Sequence, residues 1–315
     1  MKSSRRDFVI QGSAALASGT LLLNTPLRLQ AETFRWPAGL QLYTVMEALQ
    51  KDFAGTLHQV SAIGYKQVEM AGFFGKKPAD VKTALDNAGL QCGSVFIFGG
   101  MSLAETAEYA STIGAKYVAT SVLPPTRFQS KKMTRDDYQA LTLDDYKDIA
   151  DQCNRMGEQA RKAGLQLVYH NHNVEFKPLH GRIGYDQLLE STDTNLVKLQ
   201  LDCGWISAAG VSAESYISKY GDRYRMLHLK DFKLTSTPSY GMWPEERPEP
   251  TELGQGKIDY KPILKAAEKA EIEWCYVEQE PPFTEMPPLE AIKVSYNYLR
   301  SLKFISRRGY RVSHG

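Results

Sequence analysis

The sequence is short of cysteine and of net charge, and these two shortages exclude several classes of protein. Cys92, Cys153, Cys203 and Cys275 are far apart and form no Cys-x-x-Cys pair, so neither a zinc knuckle nor a disulfide scaffold is indicated. The 38 basic and 36 acidic residues leave a formal charge of +2, which does not indicate a nucleic-acid-binding protein. No low-complexity tract or short-period repeat occurs, and 43% of the residues are apolar. This composition favours one soluble globular domain.

A Gly-x-Gly-x-x-Gly turn is also missing after the first predicted strand, which weighs against a dinucleotide-binding fold. What the sequence has instead is eight alternations of a strand signal with a helix signal between residues 38 and 302. Eight such units predict an α/β protein, a (β/α)8 TIM barrel in a single domain. Two long connections, residues 123–142 and 232–257, follow predicted strand ends and are expected to shape a substrate mouth. Residues 303–315 are assigned to a C-terminal tail.

Residues 1–31 are predicted to be an export signal rather than part of the barrel. The segment Ser4-Arg5-Arg6-Asp7-Phe8-Val9 resembles the twin-arginine motif. The weakly apolar run from Ile10 to Leu23 is too short to span a bilayer, and no cysteine follows it, so no stable membrane anchor is expected. We therefore expect the twin-arginine export machinery as a partner and the periplasm as the location. No sequence feature specifies an oligomeric state.

Four predicted strands end in side chains that bind metals or transfer protons. In residues 168–176, His170 and His172 lie on the same face of the fifth strand, because side chains alternate along a strand. Strands six, seven and eight end in Asp202, His228 and Glu278. The carboxyl ends of parallel barrel strands meet at one mouth, so these side chains are expected to converge there.

Seven motifs follow one another along the chain: Leu40-Gln-Leu-Tyr-Thr-Val, Gly64-Tyr-Lys-Gln-Val-Glu, Tyr169-His-Asn-His-Asn-Val-Glu-Phe, Leu201-Asp-Cys-Gly-Trp, His228-Leu-Lys-Asp, Gly254-Gln-Gly-Lys-Ile-Asp and Val277-Glu-Gln-Glu. In this order they resemble the motifs of the xylose-isomerase-like barrel enzymes, described as sugar phosphate isomerases and epimerases. The resemblance covers nearly all of residues 38–302. It implies a divalent metal at the barrel mouth, held in that family by Glu, Asp, His and Glu on strands five to eight. Asp202, His228 and Glu278 match the last three positions.

The sequence departs from the family pattern on strand five, where the Glu is replaced. Strand register places His170 there, with Glu175 five residues later, so either of them is left to supply the fourth ligand. We expect His170 to be that ligand. Trp205 stands where the family often has a second His, and we assign it, together with Tyr43, to substrate binding, because an indole offers a stacking face to a sugar ring.

The expected donor set of two carboxylates with one or two imidazoles suits Mn²⁺, Zn²⁺, Fe²⁺ or Co²⁺ better than Mg²⁺ or Ca²⁺. Such an ion polarises a carbonyl or hydroxyl pair of a sugar and lowers the cost of an enediolate. The candidates for proton transfer are His172, Glu175, Lys230 and Glu280.

The sequence thus predicts an exported, divalent-metal-dependent sugar isomerase or epimerase that acts through an enediolate on a carbohydrate or inositol. The first alternative is a keto-sugar dehydratase or keto-glycoside lyase, because His170 in place of a Glu disturbs the symmetry that two-sided proton transfer needs. The others are an endonuclease IV-like nuclease, for which the chain has too few His and acidic ligands, and a non-catalytic sugar-binding barrel.

Overall fold

The computed structural model describes residues 31–305, and a closed barrel of eight parallel strands lies at their centre. Each strand pairs with the next one in the chain, and the eighth pairs with the first. This arrangement confirms the predicted (β/α)8 TIM barrel. The strands are β1 (Gly39–Gln41), β2 (Gln67–Ala71), β3 (Gln91–Phe96), β4 (Tyr117–Ser121), β5 (Gln166–His170), β6 (Val197–Asp202), β7 (Tyr224–Leu229) and β8 (Trp274–Val277).

Helices surround the barrel and pack on it through apolar faces that the sequence pattern predicts. They are α1 (Met46–Lys51), α2 (Phe53–Ile63), α3 (Pro78–Ala88), α4 (Leu103–Ile113), α5 (Arg135–Gln139), α6 (Leu143–Lys162), α7 (Gly184–Ser191), α8 (Cys203–Ala208), α9 (Ala213–Tyr220), α10 (Tyr260–Ala267) and α11 (Pro288–Ser301). The helices α1, α5 and α8 were not predicted, because each has only five or six residues and lies in a connection.

Large side chains fill the barrel interior below the mouth. The cluster comprises Tyr117, Val168, Met226, Trp274 and Tyr276, all buried. Two glycines make room for it. A Cβ atom on Gly39 would lie 2.7 Å from Tyr276 Cδ1, and one on Gly93 would lie 2.5 Å from Tyr276 Oη. The interior is therefore a packed core, and the polar side chains at the carboxyl ends of the strands lie above it.

The long connection between β7 and α10 is anchored by one carboxylate. Asp231 accepts hydrogen bonds from the backbone N–H groups of Gly254, Gly256 and Ile258, at 3.0, 3.2 and 3.2 Å. Within the same connection, short strands Asp231–Lys233 and Glu249–Thr251 pair in antiparallel fashion. The loop between them contacts the barrel mouth, because Arg247 donates to Glu280 and the Gly241 carbonyl accepts from Asn173 Nδ2. Its role in shaping a substrate mouth stays a prediction.

The two ends of the described chain meet, since Ala31–Thr33 pairs with Lys303–Ile305 in an antiparallel ladder. The predicted twin-arginine signal, residues 1–31, lies almost wholly outside the described residues, and its role in export stays a prediction. Within residues 31–305, no helix has the length and apolar character needed to cross a membrane.

Candidate active site at the barrel mouth

Three predicted ligands from β5, β6 and β7 meet at the mouth. One ligand atom each from His170, Asp202 and His228 lies within 4.8 Å of the other two. Asp202 Oδ2 is 3.9 Å from His170 Nε2 and 3.8 Å from His228 Nδ1. That oxygen is buried and accepts no hydrogen bond from any described residue. A buried carboxylate oxygen that accepts no hydrogen bond and faces two imidazole nitrogens fits a divalent cation, although the Lys230 ammonium lies 3.3 Å from it.

Asp202 owes its position to the start of a short helix. Its other oxygen, Oδ1, accepts the backbone N–H of Trp205 at 2.7 Å and so caps α8. Its own N–H donates to Asn171 Oδ1 at 3.0 Å, which joins β6 to the segment after β5. Both bonds turn Oδ2 towards the two histidines.

Glu278, the fourth predicted ligand, lies beside this trio and contacts cations of the protein. Its Oε2 accepts hydrogen bonds from His228 Nδ1 at 3.0 Å and is 2.9 Å from Lys230 Nζ. Lys230 is fully buried, and its ammonium is also 3.3 Å from Asp202 Oδ2 and 2.6 Å from Glu280 Oε1. Lys230 therefore neutralises carboxylates that burial would otherwise penalise.

The charges of this cluster shift its pKa values in opposite directions. Burial opposes the charge on His228, but the carboxylates of Glu69 and Glu278 outweigh it and raise its pKa to about 10. Burial likewise opposes ionisation of Glu278, yet Lys230 and His228 hold its pKa well below the usual range. For Asp202 burial prevails over Lys230 and raises the pKa to about 6. In the protein without an added ion, His228 and Lys230 thus carry the positive charge.

The two histidines at the end of β5, His170 and His172, are uncharged at neutral pH. Burial, with the neighbouring His228, lowers the pKa of His170 well below its ordinary value. Burial also lowers the pKa of His172 to about 4, against a smaller opposing effect of Glu280. The Nδ1 atom of His172 is buried and has no hydrogen-bond partner among the described residues. Both rings keep a free lone pair, as a metal ligand or a general base requires.

Glu175, the alternative ligand, lies on the outer side of β5. Its carboxylate accepts the Tyr169 hydroxyl at 2.9 Å and the His172 backbone N–H at 3.0 Å. Tyr169 alternates with His170 along the strand and packs in the core between barrel and helices. Burial raises the pKa of Glu175 to about 7. The structure thus brings His170, but not Glu175, to the trio.

A cavity of about 300 Å³ opens above these residues. Its lining includes His170, His172, His228, Glu278 and Glu280 on one side and aromatic residues on the other, namely Tyr43, Phe96 and Phe98. Trp205 is only 1% exposed and is not part of this lining. Lys230 Nζ lies 4.9 Å from the centre of the Trp205 ring, and Arg247 Cζ lies 5.7 Å from the same centre. The role of Trp205 in substrate binding stays a prediction.

Four polar residues that sequence reasoning missed complete the site. Arg247, from the long β7–α10 connection, donates to Glu280 and to the Pro281 carbonyl. Below the trio lie three more buried residues, Gln41, Glu69 and Gln200. A signal existed for Glu69, since it is the one charged residue of the buried strand β2. Arg247 had no such signal, because its connection contains several exposed charges.

Comparison with known proteins places the chain among enzymes of this architecture. The family described as "Xylose isomerase-like TIM barrel" matches residues 57–302. A curated inosose dehydratase of Lacticaseibacillus casei is 25% identical over 272 residues, which cover 78% of this chain and 88% of the relative. The inosose dehydratase of Geobacillus kaustophilus is 26% identical over 273 residues, with coverages of 78% and 86%.

Solved structures share the fold at lower identity. A sugar phosphate isomerase/epimerase from Parabacteroides distasonis has a TM-score of 0.66 at 22% identity and covers 86% of this chain and 98% of its own. The IOLI protein with a bound zinc atom has a TM-score of 0.60 at 17% identity, with coverages of 83% and 95%. A 3-keto-D-glucoside 4-epimerase from E. coli has a TM-score of 0.61 at 14% identity, with coverages of 85% and 100%.

Proposed function

Because the chain belongs to the xylose isomerase-like TIM barrel family, we propose that it is a divalent-metal-dependent enzyme that removes water from a keto-inositol or keto-sugar. Relatives named inosose dehydratase support this class of substrate and reaction. The observation that carries the proposal is the asymmetry of β5, which turns His170 towards Asp202 and His228 and turns Glu175 towards Tyr169.

This asymmetry favours elimination over epimerisation. Inversion at a carbon needs two proton carriers on opposite faces of the substrate, and the family resemblance implies a Glu on strand five and a Glu on strand eight for that purpose. Here the carboxylates near the cavity come from β6 and from the segment that follows β8 (Asp202, Glu278 and Glu280). The β5 side of the cavity offers neutral imidazoles. Removal of a proton from one face, followed by loss of a hydroxyl, requires no second carboxylate.

The residues fit a divalent ion. His170 Nε2, Asp202 Oδ2 and His228 Nδ1 would hold it, with Glu278 as the fourth ligand that the resemblance implies. When bound, such an ion polarises a ketone oxygen and stabilises the negative charge that develops as the neighbouring C–H bond breaks. The mixed nitrogen and oxygen donors suit Zn²⁺, Mn²⁺, Fe²⁺ or Co²⁺.

His172 and Lys230 carry the proton transfers in this proposal. The neutral ring of His172 accepts the proton from the carbon next to the ketone. The electron pair of that C–H bond forms a C=C bond as the C–O bond to the β-hydroxyl breaks. Glu280 lines the cavity 2.6 Å from Lys230 Nζ, so a proton from the ammonium reaches the departing oxygen through Glu280, and water leaves.

Epimerisation is the second candidate, because His172 and Glu278 line the same cavity and form a pair of proton carriers.

Incubation of the metal-loaded protein with keto-inositols and 3-keto-glycosides in D₂O, followed by NMR, distinguishes elimination from epimerisation. Elimination gives a product that has lost water and contains a conjugated C=C–C=O group. Epimerisation gives an isomer of the substrate with one deuterium at the inverted carbon. Absence of turnover with all substrates and metals would overturn both.

A further inference from the structure

One glutamate beneath the site connects two strands that do not pair with its own. Glu69 of β2 is fully buried and accepts three hydrogen bonds. The donors are His228 Nε2–H at 2.6 Å, Gln41 Nε2–H at 2.9 Å and Gln200 Nε2–H at 3.0 Å. We propose that Glu69 is a positioning residue that holds a hydrogen on Nε2 of His228 and, through Gln200, on Nδ1 of His170, so that the other nitrogen of each ring is the one available to an ion. This inference rests on the proposed metal site, whose imidazole ligands it concerns.

The link from Glu69 to His228 is direct. A carboxylate only accepts hydrogen bonds, so the ring nitrogen that faces it, Nε2, carries the hydrogen. The other nitrogen, Nδ1, faces Asp202 Oδ2 and Glu278 Oε2, at 3.8 and 3.0 Å, so it donates to Glu278 in the metal-free protein and would release that hydrogen to bind an ion. A ring nitrogen whose partner nitrogen donates to a carboxylate is a better electron donor and is held in one orientation.

The link from Glu69 to His170 runs through the amide of Gln200. Because Gln200 Nε2 donates to Glu69 Oε1, its Oε1 must face the other way, where it lies 3.0 Å from His170 Nδ1. An amide oxygen only accepts, so Nδ1 of the neutral His170 ring carries the hydrogen. The lone pair is thereby placed on Nε2, the atom that faces Asp202.

Gln41 fixes which oxygen of Glu69 accepts from which donor. Its Oε1 accepts the backbone N–H of Tyr43 at 2.8 Å, so its Nε2 must donate to Glu69 Oε2. That oxygen thus faces two donors, His228 and Gln41, and only the other oxygen faces Gln200. In a Glu69→Gln variant the new amide oxygen has to occupy the place of Glu69 Oε2, because two donors face that place. The new NH₂ group then faces the NH₂ group of Gln200.

The conflict is relieved when the Gln200 amide turns over, and then its NH₂ group faces His170 Nδ1. His170 must now carry its hydrogen on Nε2, where no lone pair remains for an ion. We therefore expect Glu69→Gln to weaken Co²⁺ and Zn²⁺ binding by about 10–100-fold, the usual effect of removing such a supporting carboxylate. In the metal-free variant, ¹⁵N chemical shifts of the His170 ring should change from the Nδ1–H form to the Nε2–H form.

A double variant that exchanges the carboxylate of Glu69 and the amide of Gln200 tests whether the native form of His170 can be restored. In Glu69→Gln/Gln200→Glu, the amide at position 69 accepts from His228 and donates to the carboxylate at position 200, which accepts from His170 Nδ1–H. The net charge is that of the native protein, and the His170 ring regains its Nδ1–H form. The matched control is Glu252→Gln, which removes another buried glutamate, one that accepts from Thr251 and Gln279 and from no histidine.

The measurements are metal affinity by competition with a chelating dye and ¹⁵N shifts of uniformly labelled protein. The inference predicts weaker binding and the altered His170 form in the single variant, and recovery of both in the double variant. The proposal would be overturned if folded Glu69→Gln bound metal with native affinity and kept the Nδ1–H form of His170. It would also be overturned if the folded double variant recovered neither the native metal affinity nor the Nδ1–H form. If the single variant does not fold, Gln200→Leu interrupts the same connection and must weaken metal binding. If the native protein binds no metal, the proposed function is wrong. The ¹⁵N shifts of His170 in the Glu69→Gln variant still test whether Glu69 determines the protonated nitrogen of that ring.

Discussion

The two halves of the barrel mouth contribute different chemistry. The half built from β5 to β8 supplies the histidines, Asp202, Glu278 and the buried Lys230, all within a few ångströms of one another. The half built from β1 to β4 supplies the aromatic wall of the cavity and the supporting pair Gln41 and Glu69. The difference indicates that reacting groups approach a substrate from one side, while the other side holds its apolar face and orients the ligands.

The largest effect is expected from removal of the imidazole that joins the two halves. His228→Ala leaves Glu69 and Glu278 buried without their shared partner, so we expect loss of the bound metal and of about 3–5 kcal/mol in the free energy of unfolding. Elemental analysis and urea denaturation measure the two effects, with Glu278→Ala as a second variant that should also lose metal. Native metal content in both variants would remove these residues from the ligand set.

Loss of a proton carrier from the reactive half should leave the metal in place. His172→Gln removes the neutral ring that lines the cavity, and His172 is not one of the three clustered ligands. We expect turnover to fall by roughly 10²–10⁴-fold, which is the usual contribution of a general base. Steady-state kinetics with a parallel metal determination test this. Turnover at the native level would transfer the proton-accepting role to another residue.

The outer side of β5 should affect stability and its pH dependence rather than catalysis. The pKa of Glu175 is raised to about 7 in the fold from an ordinary value near 4.5, so its contribution to stability is complete below pH 4.5 and is lost as the pH rises through 7. A change of this size corresponds to about 3 kcal/mol. Glu175→Gln still has partners in the Tyr169 hydroxyl and the His172 N–H, so its unfolding free energy should lack this fall. An identical pH profile in both proteins would show that Glu175 is not the cause.

The smallest effect is expected at the aromatic wall. Among residues 34–302, whose side chains the structure describes, Phe98 is the one exposed large hydrophobic residue, at 38%, and its ring packs edge-on against that of Tyr43 with 5.9 Å between the ring centres. Because aromatic contacts contribute about 0.5–1.5 kcal/mol, Phe98→Ala should raise KM by roughly 2–10-fold with little change in kcat. Trp205→Phe, a change at a buried ring outside the cavity, is the matched comparison and should leave KM unchanged. A larger rise in KM for Trp205→Phe would instead support the stacking role predicted for Trp205.

Much of the barrel could be predicted because its signals are local. Apolar periodicity and the residues that end each element predict helices over residues 78–88 and 103–113 and a strand over residues 166–170, and the structure places α3, α4 and β5 at these positions. The convergence of His170, Asp202 and His228 was also predictable, because parallel strands of a barrel end at one mouth.

The rest of the site depends on contacts between distant segments. Glu69 and Gln200 come from strands that do not pair with each other, so no local pattern shows that their side chains meet. Glu175 was expected near the mouth, but a single helical turn, Val174–Phe176, directs it back to Tyr169. Spacing along the chain specified its distance from β5 but not its side of the strand.

One measurement tests directly whether His170 or Glu175 is the metal ligand at the end of β5. Zn²⁺ and Co²⁺ affinities of His170→Ala and Glu175→Gln are compared with that of the native protein by dye competition. His170 Nε2 lies in the trio with Asp202 and His228, whereas Glu175 is bonded to Tyr169 behind the strand, so the first variant should lose at least about 100-fold in affinity and the second should bind as the native protein does. Native affinity in His170→Ala together with loss of binding in Glu175→Gln would contradict the account and restore a Glu pair suited to epimerisation.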